Sequence, residues 1–250
     1  MQNSKEAKSS AFCFETENQI GIITINNGSQ NRLPEPDFID LNLLDELVCG
    51  QELKGLIITG QGRHFSAGAD VDNIKAHRDN PGGLQEALKK GKDVLNYIEA
   101  LPMVTVAAVS GVCFGGGLEF ALSCQFRVGT ANAVLAFPES NLGIMPGLAG
   151  TIRLPRMIGR KKAVEIILSG RTINAEEAYE LGLIDRIVPN KEHLSQAKQF
   201  IEELTQNKSI QQIRNIVQSI NNSRLLTETE AMDKEGEMFV GLAKNLEGGL

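Results

Sequence analysis

Three segments of the chain carry residues whose types and spacing could do chemistry. The first is Gly62-Arg63-His64-Phe65-Ser66-Ala67-Gly68-Ala69-Asp70, directly after the apolar run Leu56–Thr59. The second runs from Val109 through Ser110, Gly111, Val112, Cys113, Phe114 and the triplet Gly115-Gly116-Gly117 to Leu118 and Glu119. The third runs from Phe137-Pro138-Glu139 to Met145-Pro146-Gly147. Each sets small residues beside an apolar element, and two of them place a carboxylate, Glu119 or Glu139, where apolar residues dominate. A helix that starts within Gly115–Gly117 presents free backbone N–H groups and a partial positive charge. Glycines there allow another group close to the backbone, so this end suits an anion or a developing oxyanion. The plainer reading is a tight strand-to-helix junction, with Glu119 favourably near the helix dipole and partly solvated. On these local residues alone, the plainer reading is preferred.

Other chemistries fail on spacing. A dinucleotide fingerprint requires a final glycine where Phe120 stands, and His64 replaces the first glycine of a nucleophile elbow around Ser66. No phosphate-binding P-loop occurs. His64, His77 and His193 are scattered and read as surface residues rather than catalysts. The four cysteines, Cys13, Cys49, Cys113 and Cys124, form no C-x-x-C pair and no cluster with histidine, so no metal site is expected. They sit in apolar surroundings and read as reduced thiols of a cytoplasmic protein.

The elements that must position these segments follow from periodicity. Phe12–Thr16 and Ile20–Asn26 read as two strands joined by a short turn, followed by a helix with Leu41, Leu44 and Leu47 or Val48 on one face. An amphipathic helix over 84–101 ends before Pro102, and the β-branched run Val104–Val109 reads as a strand. The glycine-started helix should reach about Cys124, with strands at Phe126–Gly129 and Ala133–Phe137 leading into a loop from Pro138 to Pro146. After Gly147 the pattern is helical, apart from a strand at Ile184–Val188. Strands mixed with helices, then helices alone, predict an α/β core with a helical C-terminal portion. The uncharged stretch from Pro102 to Leu118 is broken by four glycines, so it reads as a buried strand, loop and helix rather than a membrane span.

With 250 residues, 42% hydrophobic and 22% charged, the chain can bury a core without disulfides or metals. A formal charge of -6 gives no support to a nucleic-acid partner. Residues 1–10 are polar, mixed in charge and lack a signal-like apolar stretch, which predicts a flexible tail.

Taken together and in this order, the three segments resemble the crotonase superfamily of enoyl-CoA hydratases and isomerases. The resembling patterns are F-S-A-G-A-D, G-x-x-x-G-G-G-x-E and P-E-x-x-L-G-x-x-P-G, continued by Gly150-Thr151-Ile152-Arg153-Leu154-Pro155 and by Ala175 to Asp185. The likeness spans about residues 11–220, and Asn31-Arg32-Leu33 with Leu142–Gly147 looks like the hydratase part of bacterial multifunctional β-oxidation proteins. The resemblance implies a spiral of ββα repeats over 11–190 and a helical oligomerisation region over 191–250 that builds trimers or hexamers. It implies an acyl-CoA substrate, with coenzyme A as the substrate's carrier and no separate cofactor.

Residue by residue, the resemblance implies an oxyanion hole from the backbone N–H groups of Ala69 and Gly116, and Glu119 and Glu139 as acid/base pair. Arg32, Ala67, Gly68, Asp70, Phe114, Gly115, Pro138 and Gly147 are then expected around the substrate, with the 71–83 segment in the pocket wall. Two glutamates favour hydration of a 2-enoyl thioester, because double-bond isomerisation generally needs one base. Isomerisation and a non-catalytic acyl-CoA-binding oligomer are the other readings. Arg32 reads either as a contact for coenzyme A phosphates or as a surface arginine. Relatives usually continue into an aromatic and basic tail over the nucleotide, whereas this sequence ends at Glu247-Gly248-Gly249-Leu250.

Overall fold

A computed structural model describes residues 11–36, 38–77 and 79–244. The tail expected at residues 1–10 and the last residues, 245–250, lie outside the described part. The elements in chain order are β1 (Phe12–Glu17), β2 (Ile20–Ile25), α1 (Leu41–Cys49), β3 (Gly55–Gly60), α2 (Val71–Ala76), α3 (Pro81–Ala100), β4 (Val104–Val109), β5 (Val112–Phe114) and α4 (Gly116–Ala121). They continue with β6 (Phe126–Thr130), β7 (Val134–Ala136), a short 3-10 helix (Pro138–Leu142), α5 (Gly150–Ile158), α6 (Arg160–Ser169), β8 (Thr172–Asn174), α7 (Ala175–Glu180) and β9 (Arg186–Val188). Three helices close the described chain: α8 (His193–Thr205), α9 (Ile210–Leu225) and α10 (Glu228–Ala243).

Six strands form one sheet in the order β1-β2-β3-β4-β6-β9, antiparallel only between β1 and β2. A second sheet has the order β5-β7-β8, with β5 and β7 parallel. The chain alternates between the sheets. After β2, Leu33 bridges to Ala69; after β3, Ser66 bridges to Cys113 of β5; after β4 and β6 come β5 and β7. Each turn of the chain thus lays one strand in the large sheet and one short segment in the small one, which is the expected ββα spiral.

Burial on both faces explains the unbroken apolar strands. Alternation sends Ile23, Ile25, Leu56, Ile58, Ala107 and Val109 into the main core, with α3 and α4. It sends Ile20, Ile22, Ile57, Val106 and Ala108 to the opposite face, covered by Ala197 and Ile201 of α8 and Ile213 of α9. The structure corrects the local expectations in three places. Residues 138–142 form a 3-10 helix rather than a loop, β8 interrupts the stretch expected to be helical, and α4 stops at Ala121. A three-residue strand such as β8 is too short to show period-two alternation, and its pairing with β7 is a tertiary fact.

Candidate active site

The three chemical segments meet at one cavity of about 850 Å³. Ala67, Gly68 and Ala69 bring one wall, Gly115, Gly116 and Glu119 a second, and Pro138 and Glu139 a third. Turns at the ends of β3, β5 and β7 supply them, so the spiral stacks three loops that are distant in sequence. Arg32 and Gly147 also line the cavity.

Asp70 and Phe114, expected around the substrate, are not in the lining. The Asp70 carboxylate caps α2, accepting from the Asp72 N–H at 3.0 Å. Phe114 ends β5 with its N–H tied to the Ser66 carbonyl at 2.9 Å, and the chain reaches the cavity only at Gly115. From the expected wall segment, Val71 and Ile74 are present in the lining.

The histidines lie elsewhere and are half-buried rather than on the surface. His64 accepts the Val112 N–H on Nδ1 at 3.1 Å, which joins the first segment to β5. Cys113 and Cys124 are buried, but Cys49 is exposed, 3.2 Å from the Tyr97 hydroxyl, against the expectation of apolar surroundings for all four. Among the described residues no group of side chains could hold a metal ion.

Two unpartnered backbone donors lie close together where the first and second segments meet. Gly116 opens α4, where an N–H has no helical acceptor, and the bridge to Leu33 uses Gly68 and Asp70 but leaves Ala69 free. Neither the Ala69 nor the Gly116 N–H has an acceptor among the described residues. A methyl placed on Gly116 would lie 3.7 Å from the Ala69 nitrogen, so the two donors border the same space. The Ser66 hydroxyl accepts from the Gly68 N–H at 3.1 Å and donates to the Asn31 carbonyl at 2.7 Å, which fixes the extended segment leading to Ala69.

Glu119 is 1% exposed. Its Oε1 accepts from the N–H of Leu148 at 2.7 Å and of Gly150 at 2.6 Å. The intervening Ala149 adopts φ 77°, a left-handed conformation that aims both N–H groups at one point. Burial raises the Glu119 pKa to about 7, opposed by the two N–H bonds and reinforced by the nearby Glu139 carboxylate.

Glu139 enters on the 3-10 helix, and its Oε2 is buried without a hydrogen-bond partner. Burial raises its pKa to about 6. Gly115 has φ 51°, and any β-carbon there would lie 2.6 Å from Glu139 Oε1. Glycine therefore answers both the backbone conformation and the close approach of the carboxylate. Replacing Gly115 with alanine is expected to displace Glu139 and reduce turnover at least tenfold, since small misplacements at a reacting centre cost about that or more. Unchanged kinetics for a folded variant would contradict this placement.

The sequence did not single out the Leu148 and Gly150 N–H groups, because a backbone donor carries no residue-type signal. It also gave no role to Leu84, Leu88 and Lys92 of α3, which form part of the wall. Helical periodicity marks Leu84 and Leu88 only as one apolar face, and the fold decides that this face borders a cavity.

An α/β spiral sets two free N–H donors, the buried Glu119 and the half-buried Glu139 around one largely apolar cavity, an arrangement that could assist acid–base chemistry beside a carbonyl. The sequence model of the enoyl-CoA hydratase/isomerase family matches residues 15–248, and the chain belongs to that family. The probable enoyl-CoA hydratase of Bacillus subtilis (strain 168) is 31% identical over 230 residues, covering 92% of this chain and 89% of that protein. The fatty acid oxidation complex subunit alpha of Aliivibrio fischeri is 40% identical over 190 residues, covering 72% of this chain but only 27% of that longer protein.

Solved structures agree in fold. An enoyl-CoA hydratase from Bacillus anthracis superimposes with a TM-score of 0.80 at 28% identity, over 94% of this chain and 92% of that one. Pseudomonas aeruginosa DspI gives 0.83 at 27% identity, over 98% of this chain and 100% of that one. No described helix is long and apolar enough to cross a membrane.

Proposed function

We propose that this protein hydrates 2-enoyl-CoA thioesters. The observation that carries the reading is the pairing, in one cavity, of two carboxylates near their point of protonation with two unpartnered N–H donors. With values of about 7 and about 6, the two carboxyl groups share one proton near about pH 6.5, more of it on Glu119, so the proton passes to Glu139 before Glu119 acts as the base. Adding water needs that state, because one carboxylate must take a proton and the other must give one.

In this reading the thioester oxygen sits between the N–H groups of Ala69 and Gly116. Glu119, aimed by its two N–H bonds, removes a proton from water as the oxygen of that water bonds to the β-carbon. The displaced π electrons move to the thioester oxygen, giving an enolate held by the two donors. Glu139, with its unpartnered Oε2, delivers a proton to the α-carbon as the enolate collapses. The added water supplies all the new atoms, and proton exchange between the two carboxyls resets the site. Coenzyme A serves as the carrier of the acyl group, and no further cofactor has a role. Arg32 and Lys92, both in the lining, are the cations suited to its phosphates.

The exposed Ile220 of α9 and Phe239 and Val240 of α10 offer an apolar face for a second copy of the chain, since α10 has no buried residue. A trimer or hexamer is the expected assembly, read by light scattering of the purified protein. A protein that stays monomeric at working concentration would argue against it.

The deciding test is incubation with crotonyl-CoA and a longer 2-enoyl-CoA, following the conjugated thioester absorbance and product mass. A gain of one water is expected, reduced roughly 10²–10⁴-fold in Glu139→Gln. A moved double bond without a mass change would establish isomerisation instead. Binding without turnover would leave a non-catalytic acyl-CoA-binding protein.

A further inference from the structure

The turn that aims Glu119 is itself held from behind. Arg153, on α5, is 2% exposed, and a guanidinium so buried is costly unless its donors are met. Its Nη1 donates to the Leu148 carbonyl at 3.0 Å. Nη2 donates to Asn96 Oδ1 at 2.8 Å, and Nε to Glu99 Oε2 at 3.1 Å, both acceptors lying on α3. Leu148 is therefore gripped at both ends of its peptide environment: its N–H by Glu119 and its C=O by Arg153. The neighbouring Ala149 sits at φ 77°, which is unfavourable for a residue with a β-carbon and persists only where surrounding contacts hold it.

We propose that Arg153 is the positioning residue for Glu119, acting through the Leu148–Gly150 turn and anchored to α3 by Asn96 and Glu99. It touches neither the substrate space nor the reacting atoms. Its planar fork spans three acceptors in different directions, a task an ammonium group cannot reproduce. The anchor extends to the C-terminal helices. Glu99 Oε1 also pairs with Arg224 of α9 at 2.6 Å, and Asn221 of α9 donates to the Ala100 carbonyl at 3.2 Å. The end of α3 that holds Arg153 is thus braced from α9.

The test uses two substitutions that leave net charge unchanged, Arg153→Lys and Asn96→Ala, so that an altered Glu119 reports geometry rather than a lost charge. Loosening the turn weakens the two N–H bonds that favour the carboxylate. The Glu119 midpoint should then rise, by about half a unit or more, in a carboxyl ¹³C NMR titration assigned with Glu119→Gln. On an enoyl-CoA substrate, kcat should fall roughly 10–100-fold for Arg153→Lys, with KM little changed and the ascending limb of the pH profile moved upward. Asn96→Ala should move both readouts the same way by less.

Folded variants that keep the Glu119 midpoint and wild-type kcat would overturn the proposal. So would a drop in melting temperature with an unmoved midpoint, which would mark Arg153 as a packing residue only. The kinetic readout rests on the hydration reading, whereas the titration does not. A wild-type protein inert toward enoyl-CoA would sink that reading and still leave the NMR result to decide this one.

Discussion

Replacing Glu119 with glutamine is expected to abolish most turnover and, at the same time, to stabilise the protein above neutral pH. The activity loss should be roughly 10²–10⁴-fold, the usual contribution of a general base. Glutamine keeps an oxygen to accept the Leu148 and Gly150 N–H bonds, so the turn has reason to persist. What disappears is a buried charge. The folded-state pKa of about 7 lies above the ordinary carboxyl value of 4.5, so the folded protein holds a proton that the unfolded chain has released between these limits. The stability associated with this carboxyl is full below about pH 4.5 and is lost as pH rises through about 7.

Glu119→Gln avoids that loss. Its advantage over wild type should grow across this window and level off above it, at roughly 3 kcal/mol. For a chain of this length that corresponds to about 6–12 °C in melting temperature. Denaturation of both proteins at pH 5 and pH 8 checks the prediction. An equal destabilisation at both pH values would show that the carboxylate is not strained in the folded state. A gain in stability at the expense of activity is the pattern expected of a residue kept for function.

The second large effect concerns the donors. Gly116 is the first residue of α4, a position where proline is tolerated because that N–H has no helical acceptor. Gly116→Pro should leave the helix in place while deleting one of the two N–H groups proposed to hold the enolate oxygen. A loss of at least about 10²-fold in kcat is expected, as for other two-donor sites. Circular dichroism would verify the fold, and thioester exchange into the site can be followed separately by the binding of a saturated acyl-CoA. A folded variant with near-normal kcat would remove Gly116 from the mechanism. Gly117 provides the control position for design, because its β-carbon would instead collide with Ser66 at 2.7 Å and disturb the scaffold.

Much of the fold was legible because its signals are local. The runs at β2, β3 and β4 are uncharged and mostly apolar, the pattern of a parallel sheet covered on both faces. Glu119 and Glu139 stood out as carboxylates in apolar surroundings, and the glycine triplet marked a close approach of backbone to another group. Local residues alone still favoured an ordinary strand-to-helix junction at Gly115–Gly117; the ordered set of motifs was needed to point to an acyl-CoA site.

The tertiary structure decided the rest. That the Asp70 carboxylate caps α2 depends on where that helix begins, which places the Asp72 N–H within its reach. The strand β8 exists through its pairing with β7, and the apolar face of α3 becomes a cavity wall through packing, neither of which a residue-type pattern encodes. The aim of Glu119 depends on two peptide N–H groups about thirty positions later in the chain and on an arginine gripping the same turn. Residue types told which groups could exchange protons. Only the folding of three loops onto one cavity drew those groups away from bulk solvent, raised their pKa values and placed them on the same cavity as the two free N–H donors.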